Sequence, residues 1–141
     1  MNANRANGNR LTISRLSETA KVAVPTLRFY ERSGLLPKPP RNASNYRLYS
    51  NEAVSRIRFI RRAQELGFTL SEIKDLLNLR VSGPISCAEV RERAEAKIAD
   101  IEERILSLRR MGRALAKLAS ACGQEGAKKS CPILEHLEGH L

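Results

Sequence analysis

The sequence has no apolar run near the roughly 18 residues that cross a bilayer, and its opening residues hold no apolar signal core. Neither a membrane span nor export is therefore expected, and the location read from the chain is cytoplasmic. Cysteine is scarce and odd in number, three in all. Without an export signal, that count argues against a disulfide framework. Catalytic groupings are absent too: no Ser/His/Asp set, no glycine-rich phosphate loop after a strand, no paired carboxylates in a plausible cleft. No enzyme is expected. Acidic residues are few in the first part of the chain. Residues 1–80 carry 15 Lys and Arg against 6 Asp and Glu, a balance of +9, whereas residues 81–141 carry 10 against 9. A basic half beside a nearly neutral one suggests a nucleic-acid binder with a separate assembly element. A merely solvated basic surface is the plainer alternative.

The rest of the chain is organised around Ser86 to Cys131, a long predicted helix with a thiol at each end and a third after a short loop. Between Cys87 and Cys122, the residues Ala94, Ile98, Ile101, Ile105, Leu108, Gly112, Leu115 and Ala119 recur at steps of four and three. That is the seam of a coiled coil. A lone helix cannot bury such a seam against itself, so a partner helix is expected. Cys87 and Cys122 are 35 positions apart, five heptads, so both lie on the seam. On one straight helix they stand roughly 50 Å apart and cannot share a ligand. In an antiparallel homodimer, Cys87 of one subunit falls beside Cys122 of the other. Cys131 can fold back through the loop Gly123 to Ser130, so three sulfurs converge at each dimer end.

Taken in order, the chain begins with an Asn-rich lead-in, residues 1–10, read as disordered. A short extended piece, Leu11 to Ile13, precedes a helix capped by Ser14 and running from Arg15 to about Lys21, with Leu16 and Ala20 inward. After an Ala23-Val24 turn, Pro25 opens a second helix to about Arg32, ending at Ser33-Gly34. Two short helices across a small-residue turn form the helix-turn-helix pattern. Leu35 to Ser50, with Pro37, Pro39, Pro40 and an Asn-rich turn, reads as a β-hairpin wing closing on Tyr46 to Tyr49. Asn51 to Leu66 is amphipathic, with Val54, Ile57, Phe59, Ile60 and Ala63 inward. Thr69 or Ser71 starts a fourth helix, with Glu72 at capping-box spacing from Thr69. Leu16, Leu27, Phe29, Leu35, Leu36, Ile57, Ile60 and Leu70 are assigned to the core.

The run Thr26-Leu27-Arg28-Phe29-Tyr30-Glu31-Arg32-Ser33-Gly34-Leu35-Leu36 resembles the recognition-helix signature of the MerR family of transcriptional regulators. Asn45 to Tyr49 resembles that family's wing, although Asn45 stands where many relatives carry Gly, and Ala63 to Ile73 resembles the helix pair that follows. The likeness spans about residues 11–138. It implies an all-α fold with a small β-wing: a winged helix-turn-helix, then a long antiparallel dimerisation helix and a C-terminal metal-binding loop. The expected organisation is the lead-in at 1–10, the DNA-binding domain at 11–80, linker and dimerisation helix at 81–121, and metal-binding loop with a short helix at 122–141. It further implies a dimer on promoter DNA with RNA polymerase, repressing without metal and activating by distorting the DNA when metal binds. Thr26, Arg28 and Tyr30 on the recognition helix, and Tyr46, Arg47 and Tyr49 on the wing, are the candidate DNA contacts. Arg28 and Tyr30 are taken to share its polar face. Each also has a duller reading, a solvated helix face or hairpin packing.

The thiols carry the remaining chemistry. Ser86 and Glu89 fit a capping box that places Cys87 in the first turn of the long helix, where the macrodipole favours thiolate. Cys131 precedes Pro132 at the start of a short helix and gains the same effect. Three thiolates without an oxygen ligand suit a soft ion: Hg(II), Pb(II) or Cd(II), with Zn(II) usually taking four ligands. Cys87, Cys122 and Cys131 together most resemble the mercury-sensing branch of the family, with lead and cadmium sensors next. Alternatives stay open: a Cys122–Cys131 redox disulfide, Cys122 as a small seam residue, or a metal-trafficking protein with a basic half. His136 and His140 read as solvated tail residues.

Overall fold

Helix-forming runs separated by Pro, Gly and Asn punctuation produce a mostly helical chain. The computed structural model describes residues 10–81, 83–84, 86–122 and 131–139. The helices are α1 (Ile13–Ala20), α2 (Val24–Arg32), α3 (Asn51–Glu65), α4 (Leu70–Val81), α5 (Cys87–Cys122) and α6 (Pro132–Leu137). The chain divides into two compact units, Met1–Glu92 and Arg93–Leu141. The lead-in residues 1–9, the loop 123–130, Ser82, Ile85, His140 and Leu141 lie outside the described residues.

In the first unit, α3 packs against α1 and α4, and α1 against α2. Leu16, Leu27, Leu35, Leu36, Ile57, Ile60 and Ile73 are fully buried there. Burying each such side chain contributes about 1.5–3 kcal/mol. The cap of α1 differs from the sequence expectation. Thr12, not Ser14, is the N-cap; its backbone is extended, and its Oγ1 accepts from Arg15 N at 3.3 Å. Ile13 already has helical geometry, which leaves Ser14 inside the first turn. Helix α4 opens as the spacing predicts. Thr69 N donates to Glu72 Oε1 at 2.8 Å and Glu72 N donates to Thr69 Oγ1 at 3.2 Å, a reciprocal capping box.

The wing is slighter than a hairpin. Among the described residues the β structure consists of two isolated antiparallel bridges, Leu11 with Tyr49 and Arg41 with Arg47. Between Arg41 and Arg47 the chain reverses through Asn45, which has φ +66°. Asn tolerates this left-handed conformation better than most side chains do. Asn42 Oδ1 accepts from Ser44 N at 3.0 Å and Tyr46 N at 2.9 Å, holding the turn from inside.

Helix α5 runs unbroken for 36 residues, and Ser86 Oγ accepts from Glu89 N at its start. Its seam lies in solvent within one chain: Ile98, Ile101, Ile105, Leu108 and Leu115 are all exposed. No described helix is long and apolar enough to cross a membrane.

Candidate nucleic-acid interface and thiol site

Helix α2 buries Leu27, Tyr30 and Glu31, positions three and four apart that share one face. That phase corrects two expectations. Arg28 and Tyr30, two positions apart, cannot share a helix face: Arg28 is exposed and Tyr30 is 3% exposed. Phe29, assigned to the core, is instead 43% exposed beside Arg28. The Tyr30 hydroxyl is satisfied inside, donating to Gln64 Oε1 at 2.8 Å, and burial pushes its pKa up. Past Arg32, Gly34 takes φ +75°, and Leu35 N returns to Tyr30 O at 2.9 Å. Glycine is needed here: a side chain would strain the backbone, and Lys74 Nζ lies 3.1 Å from where its Cβ would stand.

On the wing, Tyr46 is fully open at 64% exposed, and Arg47 is partly covered. Tyr49 is only 2% exposed, which removes it from the wing's outer edge. Its paired backbone bonds with Leu11, both 2.7 Å, draw it over the core, and burial first, then Glu31, raises its pKa. The outward set on this side is therefore Arg28, Phe29, Tyr46, Arg41 and part of Arg47, with Thr26 half-buried. Arg41 and Phe29 escaped the sequence reading. Arg41 stood in a proline-rich stretch with no periodic signal, and Phe29 looked like core by hydrophobicity alone. Two further arginines support the frame. Arg56, whose pKa is lowered by burial, donates from Nε to the Leu35 carbonyl, and Arg61 Nη1 donates to Lys21 O at 2.8 Å.

In the second unit, Cys122 closes α5 and Cys131 precedes α6; both are half-buried. The backbone N–H of Leu134 chiefly, with that of Ile133 and the Cys122 thiol, holds the Cys131 thiol below its usual pKa, against burial and Glu135. Cys87 is exposed as the first residue of α5. Among the described residues, no group of three potential ligands comes together within one chain. His136 is exposed.

The family model described as "MerR HTH family regulatory protein" matches residues 11–79, and the one described as "MerR, DNA binding" matches residues 54–118. A mercuric resistance operon regulatory protein of Serratia marcescens is 40% identical over 133 residues, 94% of this chain and 91% of that protein. The chain belongs to the MerR family. Like other MerR-family proteins it is a DNA-binding regulator of transcription and not an enzyme. Its fold is similar to that of the transcription regulator PbrR691 of Ralstonia metallidurans CH34 in complex with lead(II). The TM-score is 0.80 at 38% identity, over 90% of this chain and 98% of that one. It is also similar to MerR of Bacillus megaterium MB1 in complex with mercury(II), with TM-score 0.65 at 35% identity over 86% and 94% of the two chains.

Proposed function

We propose that this MerR-family chain is a cytoplasmic homodimeric switch for a soft divalent metal, with Hg(II) the first candidate and Pb(II), Cd(II) or Zn(II) behind it. The observation that carries the reading is the placement of Cys122 at the end of α5 and Cys131 at the start of α6, on a helix whose apolar seam lies in solvent, with Cys122 among the groups that lower the Cys131 pKa. The donor set fits such an ion: two sulfurs, one with its thiolate favoured, and no oxygen ligand required. The third sulfur is Cys87 of the partner subunit, brought there when two α5 helices pair antiparallel along the seam. The dimer sits on promoter DNA in both states, represses without metal, and on binding it distorts the DNA so that RNA polymerase can start. Metal acts by favouring one of two arrangements of the dimer. Relatives named for mercuric resistance, and similar structures holding lead(II) and mercury(II), support the class of ion.

Mixing subunits tests the shared site. A Cys87→Ser subunit paired with a Cys122→Ser subunit leaves one dimer end without two thiols and the other end complete. The heterodimer is expected to bind metal tightly at one end, and each parent homodimer at neither. A heterodimer without tight binding, or a parent that binds like wild type, overturns the three-thiol site. The same two free thiols support a second reading, a Cys122–Cys131 disulfide that senses oxidants. Metal-independent loss of both free thiols under mild oxidation, with a change in transcription, would favour it.

A further inference from the structure

Glu31 is an oddity of the first unit: a carboxylate on the inward face of α2 whose side chain is 2% exposed. Glutamate is seldom so deeply buried unless paired. Its partner comes from the wing. Arg47 Nη1 stands 3.5 Å from Glu31 Oε2, and the same carboxylate helps to raise the pKa of Tyr49. One buried charge on α2 thus holds Arg47 of the wing. The pair is not at its hydrogen-bonding optimum, because Glu31 Oε2 and Arg47 Nε are both buried without a hydrogen-bond partner. Arg47 also reaches the outside. With Arg28, Arg41, Asn45 and Tyr46 it lines a cleft of about 130 Å³ between α2 and the wing. Three guanidinium groups against one carboxylate leave two formal positive charges at this cleft, and guanidinium forks match phosphate oxygens.

We propose that Glu31 is a positioning residue that clamps Arg47 to the recognition helix so that Arg28, Arg41 and Arg47 converge on a single backbone phosphate of the duplex. The inference rests on the reading that α2 and the wing face DNA. It adds that a buried carboxylate, itself repelled by phosphate, strengthens binding. Without Glu31, Arg47 has no anchor beside the core and swings into solvent. The three guanidinium groups then repel one another, and the cleft loses its shape.

Glu31→Gln keeps the volume and removes the charge, and binding to a duplex from upstream of the chain's own reading frame reads the result across a salt series. The expected outcome is a loss on the order of tenfold in affinity. The slope of log affinity against log salt should flatten by about 0.9, one phosphate contact. Arg47→Ala should do the same, and the double variant should be no worse than Arg47→Ala alone. Wild-type affinity and slope in Glu31→Gln, or effects of the two substitutions that simply add, overturn the proposal. Should Glu31→Gln fail to fold by circular dichroism, Arg41→Ala decides instead: an unchanged salt slope removes the cleft. Metal uptake by Glu31→Gln should equal that of wild type, so failure of the metal-switch reading and failure of this one appear in different measurements.

Discussion

The Tyr30 hydroxyl in α2 donates to Gln64 Oε1 in the last turn of α3 at 2.8 Å. This bond sets the rotation of α2 against the core: with Tyr30 anchored inward, Arg28 and Phe29 must point out. Buried tyrosines usually have their hydroxyl satisfied in this way.

Tyr30→Phe leaves the ring packed and removes only the hydroxyl. Stability should fall by about 1 kcal/mol, with Gln64 able to recover part through water. Urea denaturation measures it. DNA affinity should stay near wild type, because the hydroxyl is engaged inside. A large drop in affinity with unchanged stability would return Tyr30 to the interface.

Arg28 is exposed on α2 and lines the cleft beside the wing. Arg28→Ala should cost about 1–3 kcal/mol of binding. Loss of discrimination at one base position would mean that it reads a base edge, and an even loss on all duplexes that it holds phosphate. Unchanged binding on both specific and random duplex removes Arg28 from the interface.

Ile105 lies mid-seam on α5 and is 42% exposed in a single chain. If a second α5 covers it, Ile105→Asp buries an unpaired charge and should break the dimer. Sedimentation at micromolar concentration reads the mass. A dimer that persists in the variant rejects the seam as the assembly surface.

Much of the site was legible because its signals are local. Thr69 and Glu72 announce a capping box by spacing alone, and the structure closes it in both directions. Cys87 and Cys122 bound α5 as its first and last residues, since a period of seven leaves few alternatives over so long a run. Leu16 and Ala20 read as inward, and the contacts of α1 with α3 bury them. Errors arose where hydrophobicity had to choose between neighbours. Phe29 and Tyr30 are adjacent aromatics, and Tyr46 and Tyr49 are aromatics of one short run, the first exposed and the second buried.

The sequence by itself determined the number and order of the helices, the basic charge of the first half, the seam that requires a partner, and the thiols at the ends of the long helix. Those follow from short-range periodicity, caps and composition, which need no knowledge of what packs against what. Only the tertiary structure decided which side of α2 faces out, because that phase depends on α1 and α3 contacting Leu27 and Tyr30 from elsewhere in the chain. The burial of Tyr49 likewise depends on Leu11, 38 positions away, completing a pair of backbone bonds. The charged clamp of Glu31 on Arg47 is of the same kind. A carboxylate in a polar-looking helix reads as solvated until a wing folds over it and leaves it 2% exposed.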